Sequence, residues 1–492
     1  QDAVRANRLS DEPEIESSCL LRIRGNSSRA FDKKNYQITF VKSDGTDNDQ
    51  EFLGMAKSET WTLHGPSLDK TLMRNYLAYG IAGEFMNDYV PDVRYCELFI
   101  DGEYQGLYLA TETVKVEDGR LDLNPADPKS PTTSYVLGID LTGSGPLTIS
   151  DFLRYTLRLS KYMNIEYPNA TTLTDEQKAW IEQDVSSFEK ALFSYDYDTR
   201  DYGYVNYIDV DSFVDSFVWN EFVINDDFAA YSTYLYKDVR GKLTLGPPWD
   251  FNNVFDNYRL ATPTDKFYLV DRAWYFMLFK DEAFTERVIS RYRELRAGAL
   301  SEEHLNAYID ETTEYLGPVV ERNFKVWGYL LDAENVSHAQ KVEPDERNPR
   351  SFDEAIDQLK SFVTERGAWL DGSIEHLLQY SHESAVKKFI IAAACLFALA
   401  ACAAFAVFGT SVSIDLDPSK PVTAWVRQEG RAIQIDRGDG WEDFEIRGVD
   451  MGAGIPGHFA TDYAIDKETY LRWFKQVKDM GANTIRVYIL LG

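Results

Sequence analysis

Residues 389–408 form a run without a single charged side chain, rich in Ala, Phe, Leu and Ile. About 20 apolar residues is the length that crosses the hydrocarbon core of a bilayer. A soluble helix of that length usually keeps a polar face, and this run has none. The run therefore predicts a transmembrane helix over 386–409, with the membrane as a partner, and it divides the chain. Lys387 and Lys388 precede it and only Lys420 follows closely. That bias puts the N-terminal part in the cytoplasm and the C-terminal part outside, the reverse placement being the alternative. Leu399-Ala400-Ala401-Cys402 also fits a bacterial lipobox, a reading that requires cleavage within the chain.

The 492 residues exceed one ordinary domain, so two or three units are expected. With 44% hydrophobic and 14% aromatic residues the chain can fill sizeable cores. A formal charge of -29 argues against a nucleic-acid partner, because phosphate backbones select basic surfaces. Cys19, Cys96, Cys395 and Cys402 show no spacing for zinc or a disulfide framework. The chain does not begin with Met and stops straight after an apolar strand pattern, so it reads as a fragment cut at both ends.

Residues 1–18 are a polar lead-in. Alternating strands are expected at 20–24 and 36–40, flanking a Gly-Asn-Ser-Ser loop, with a helix over 70–86. The clearest hairpin joins 95–100 to 103–110 through Asp101-Gly102, a pair suited to a type I′ turn. Thr174-Asp175-Glu176-Gln177 reads as a capping box opening a helix to about Phe193. Another helix is expected over 211–224, a second hairpin over 231–237 and 242–245, and helical periods from 281 to 370.

Phosphoryl transfer needs a carboxylate to orient a hydroxyl, another to hold a divalent cation, and cations around the phosphates. Asp227 follows the 211–224 helix and Asp250 ends Gly246-Pro247-Pro248-Trp249-Asp250. Both sit at the ends of rigid elements, where catalytic side chains gather. Caps and turns use Asp at such places too, and spacing alone does not separate the two readings.

Five ordered blocks add to this. They are Arg24-Gly25-Asn26-Ser27-Ser28-Arg29 with Lys33-Lys34 and Tyr36; Leu72-Met73-Arg74-Asn75-Tyr76-Leu77-Ala78; and Asp101-Gly102-Glu103-Tyr104-Gln105-Gly106-Leu107-Tyr108 with Glu112. Asn220-Glu221 with Asn225, Asp227 and Ser232 to Lys237 follows, and then Pro248-Trp249-Asp250-Phe251. Together these resemble the CotH family of atypical protein kinases, known from spore-coat assembly. The resemblance implies an α+β, two-lobed kinase-like domain over 19–335. A helical or linker segment is expected to follow over 336–385. The resemblance also implies transfer of phosphate from ATP, with Mg2+ or Mn2+, to Ser residues of an acceptor protein. It places Asp227 as the catalytic Asp and Asp250 as the metal-binding Asp, with Asn225 and Asn252 as further metal candidates. Arg24, Arg29 and Lys34 are candidates for phosphate contact, and Glu112 for pairing with one of these cations. Many relatives carry Asp where this chain has Asn252, and hard divalent cations prefer carboxylates. A catalytically weak surface module for binding or assembly is therefore the rival reading.

In 410–492, a strand pattern at Phe444–Asp450, a helix with Tyr470, Phe474 and Val477, and a strand at 484–488 give strand–helix–strand order. Arg447-Gly448-Val449-Asp450-Met451-Gly452 and the segment 478–488 resemble the first unit of glycoside-hydrolase barrels. That resemblance implies a truncated barrel, with carbohydrate as a partner and Arg486 near its site.

Overall fold

Asp101 and Gly102 both take positive φ, 52° and 79°. That is the backbone a type I′ turn demands, and it matches the twist of the strands it joins. The hairpin consists of β4 (Val93–Ile100) and β5 (Glu103–Glu112). It lies in a five-stranded antiparallel sheet with β1 (Ser18–Ile23), β2 (Tyr36–Val41) and β3 (Thr60–His64), in the order β1-β2-β3-β5-β4. Central strand β3 is not anticipated by the sequence, because its five residues are too short to show a period. Helix α1 (Arg74–Phe85) lies between β3 and β4 in the chain.

The computed structural model describes residues 7–87, 89–140, 148–149, 162–381, 425–429, 432–437, 440–451 and 467–487. They belong to two units, 1–395 and 396–492. A second antiparallel sheet in the first unit has the order β10-β9-β6-β8-β7. Its strands are β6 (Tyr135–Asp140), β7 (Thr148–Ile149), β8 (Tyr162–Tyr167), β9 (Thr233–Lys237) and β10 (Thr244–Leu245). Residues 135–139 of β6 are all buried, so the strand shows no alternation to read.

Helix α2 (Asp175–Leu192) opens on the expected capping box: Gln177 N–H donates to Thr174 Oγ1 at 3.2 Å, and Thr174 N–H to Gln177 Oε1 at 3.2 Å. Helix α3 (Val210–Phe222) is capped by Asp209 and is buried nearly all round, as a helix in the middle of a core must be. Helices α4 (Tyr275–Leu278), α5 (Glu282–Arg296), α6 (Glu302–Leu316), α7 (Pro318–Trp327) and α8 (Phe352–Ser373) complete the unit.

Packing continues past residue 335, into the segment expected to be helical or a linker. Ile356, Leu359, Phe362, Val363 and Leu370 of α8 belong to the main core. Arg366, fully buried on α8, meets Glu221 of α3 at 2.6 Å. Its other donors reach Thr264 O at 2.8 Å and Lys266 O at 2.7 Å. The Glu221 carboxylate also accepts the N–H groups of Tyr268 (2.9 Å) and Leu269 (2.8 Å).

The second unit contains an antiparallel sheet of β11 (Trp425–Glu429), β12 (Ala432–Asp436) and β13 (Trp441–Asp443). Strand β14 (Gly448–Met451), helix α9 (Lys467–Asp479) and strand β15 (Thr484–Val487, which carries Arg486) follow, with β14 and β15 parallel. The strand–helix–strand order is therefore as read. Two parallel strands do not amount to a barrel, and a glycoside-hydrolase barrel is not shown.

The membrane assignment is corrected. No helix among the described residues is long and apolar enough to cross a membrane. The run 389–408, on which the span and its topology rested, lies outside the described residues.

Removing one partner of a buried ion pair costs about 3–5 kcal/mol, because the other charge is left buried alone. Arg366→Met is expected to lower the unfolding free energy of the first unit by that amount in urea titrations. Adding Glu221→Gln is expected to recover part of the loss, read as a coupling in the double-mutant cycle.

Candidate active site

A cleft of about 690 Å³ collects residues from both sheets of the first unit. Its lining takes in the loop from Arg24 to Arg29 and Thr62-Leu63-His64 of β3. Asp140 at the end of β6, Asp227 beyond α3, and Trp249, Asp250, Asn252 and Asn253 beyond β10 also line it. A second cleft of equal volume, around Lys70, Arg74, Asp256 and Arg347, contains neither Asp227 nor Asp250.

Local backbone rules build the cationic side. Gly25 has φ 101°, and a Cβ there would fall 1.9 Å from Ser28 Oγ, so the turn after β1 requires glycine. Arg24 N–H donates to Asn35 O at 2.9 Å, and its guanidinium stacks over the Trp249 ring at 5.5 Å. Arg29 reaches back to Ile23 O at 3.3 Å and is exposed at the rim. Lys34 donates to Arg29 O at 2.8 Å. It braces the loop and is not among the residues lining the cleft.

The acidic side depends on two tight turns. Helix α3 ends, and Ile224 adopts φ 52°, an outlier for a β-branched residue that folds the chain back. Asn225 N–H then donates to Asn220 O at 2.8 Å, and Asp227 follows at the cleft wall. Asn253 Nδ2 donates to Asp227 Oδ2 at 2.9 Å, and Asn252 Nδ2 to Asn253 Oδ1 at 2.8 Å. Asp227 Oδ1 and Asn252 Oδ1 take no hydrogen bond among the described residues. Asp250 also has positive φ, 63°, and Ser232 Oγ approaches its Oδ2 at 3.4 Å. Asp226, next to Asp227, is held by Arg272 at 2.5 Å.

Burial pushes the Asp227 carboxyl above the usual range, helped by the charges of Asp226 and Asp140 and opposed by the Asn253 hydrogen bond and Arg272. Burial pushes Asp250 up to about 6, with Arg24 pulling down and Asp227 pulling up. His64, also in the lining, is held down at about 4 by burial, and its buried Nε2 lacks a partner among the described residues.

Asn225 and Glu112 sit elsewhere. Asn225 is buried outside the lining, its amide donating to Asn220 Oδ1 at 2.9 Å. Glu112 is buried on β5 and meets none of the three candidate cations. It accepts Ala56 N–H (3.0 Å), Tyr89 Oη–H (2.8 Å) and Asp92 N–H (3.0 Å), with Arg120 Nε at 4.0 Å. Sequence reasoning missed Asp140. The one available signal was an acid closing an apolar stretch, Tyr135-Val136-Leu137-Gly138-Ile139-Asp140, as Asp250 closes its own.

The Asp250 shift fixes the sign of a pH effect. The unfolded chain releases this proton near pH 4 and the folded chain near 6, so between them the native state binds more protons. Stability therefore falls as pH rises through that window. In metal-free buffer, the unfolding free energy of wild type minus that of Asp250→Asn is expected to fall from pH 5 to about 6.5 and to be flat above about 7.

The curated proteins contain no match to this chain. Residues 21–370 match the family described as CotH kinase protein, a span that takes in nearly all of both sheets, the cleft and nearly all of α8. With well over half of its length matched, the chain belongs to the CotH kinase protein family.

Proposed function

We propose that the first unit transfers the γ-phosphoryl group of ATP to a hydroxyl of a Ser-rich acceptor protein. The observation that carries this is the meeting of Asp227, Asp250, Arg24 and Arg29 in one cleft. Membership of the CotH kinase protein family supports a kinase-like activity.

The donor set fits Mg2+ or Mn2+. Among the described residues no cluster of three His, Cys, Asp or Glu forms a protein cage. Mg2+ does not need one, since it keeps waters and uses one or two carboxylates together with substrate phosphates. Asp250 would hold the ion, with Asn252 Oδ1 as a neutral second oxygen. When bound, the ion neutralises charge on the phosphates.

The chain's own groups do the rest. Asn253 occupies Asp227 Oδ2, which leaves Oδ1 to orient the acceptor hydroxyl and receive its proton. The hydroxyl oxygen forms a bond to phosphorus as the bond to the β-phosphate oxygen breaks, and ADP departs with that electron pair. The raised affinity of Asp227 for a proton suits it to that transfer. Arg24, steadied on Trp249, presents a planar fork to the phosphate oxygens.

Purified full chain with labelled ATP, Mn2+ and a Ser-rich acceptor is expected to transfer phosphate. Asp227→Asn and Asp250→Asn are each expected to lose at least about 100-fold. Absence of transfer by wild type, or wild-type rates in both variants, overturns the kinase reading in favour of a binding module. Asn252→Asp is expected to tighten Mn2+ binding about tenfold by calorimetry, since it turns a neutral oxygen into a charged one.

A further inference from the structure

Two consecutive backbone N–H groups at the metal-binding corner are captured by side chains of one helix. Asp250 N–H donates to Tyr79 Oη at 3.1 Å, and Phe251 N–H to Asn75 Oδ1 at 3.0 Å. Asn75 and Tyr79 are one helical turn apart on α1, so they share a face. Both are nearly fully buried, at 5% and 4% exposure. The Tyr79 ring also stands edge-on to Phe251 at 5.2 Å and to Trp249 at 6.5 Å.

This grip acts where the backbone needs it. Asp250 has φ 63°, in the left-handed region that disfavours any residue with a Cβ. Fixing the N–H directions on both sides of one Cα fixes that residue's φ and ψ, and with them the direction of Cα–Cβ. The carboxylate is thereby aimed through its backbone, with no hydrogen bond to it from Asn75 or Tyr79. The neighbouring Arg74 anchors the helix start. It pairs with Asp69 at 2.6 Å and donates to Phe255 O at 3.3 Å, so the same turn of α1 grips both ends of the segment 250–255.

We infer that Asn75 and Tyr79 are positioning residues, which hold the Asp250 carboxylate in its working direction through hydrogen bonds to the backbone of residues 250 and 251. The catalytic arm of the test rests on the proposed kinase reading, and the exchange arm does not.

Tyr79→Phe removes one oxygen and keeps the ring, and Asn75→Ala removes the other acceptor. Leu77→Ala, on the same helix but outside the cleft, serves as the destabilised control. In the full chain, hydrogen exchange at amides 250 and 251 is expected to quicken about tenfold or more in the first two variants relative to neighbouring amides, and not in the control. Phosphoryl transfer is expected to lose about 10- to 100-fold in kcat in the first two, with the KM for ATP within about twofold, while Leu77→Ala keeps its kcat. Unchanged exchange at 250 and 251 in Tyr79→Phe, or unchanged kcat despite faster exchange, overturns the inference. A wild type that transfers no phosphate removes the kinase reading, and faster exchange in the variants still sustains the positioning role.

Discussion

The buried ion pair between Glu221 and Arg366 is the contact on which the rest of the first unit depends. Two charges taken out of water are tolerated only when nearly every lone pair and proton finds a partner. Here the carboxylate has the guanidinium and two N–H groups, and the guanidinium has two further carbonyls. Those partners come from α3, from the segment 264–269 and from α8. Satisfying one acid thus ties together three stretches far apart in the chain. The same helix α3 runs straight into the Ile224 turn and Asp227, so the pair that closes the core also fixes where the cleft's acidic wall begins.

The cleft runs against the composition of the chain. Within a net charge of -29, a glycine-dependent loop brings Arg24 and Arg29 into the same lining as Asp140, Asp227 and Asp250, and burial raises the proton affinity of Asp227 and Asp250. The amides of Asn252 and Asn253 continue this economy of charge. They line up toward Asp227 and orient it without adding a further negative group.

Local chemistry made part of this legible. Asp101-Gly102 announces its turn and Thr174 and Gln177 announce their helix start, whereas Asp227 and Asp250 look like caps on local chemistry and are singled out by the ordered blocks. What stayed hidden was set by partners far away in sequence. Strand β3 is too short and β6 too uniformly apolar to show a period. The burial of Arg366 on α8 is equally hidden, since it looks like any helix-face arginine until Glu221 is found. Glu221 carried a faint signal, an acid inside the apolar stretch Phe217-Val218-Trp219-Asn220-Glu221-Phe222. Asn75 and Tyr79 bond to backbone N–H groups about 170 residues away, and such bonds leave no pattern in either segment. Asn225 and Glu112 were placed by resemblance to the site, and the fold uses both as internal struts.

Glu112 has one further consequence. Ordinary protein kinases can be turned off by swinging a glutamate away from a lysine. A toggle of that kind needs two arrangements within a few kcal/mol of each other. Glu112 is seated on a strand and held by two main-chain amides, a phenol and a nearby guanidinium. Rotating it outward would break all of these at once. At this position the domain is a fixed jaw with no hinge.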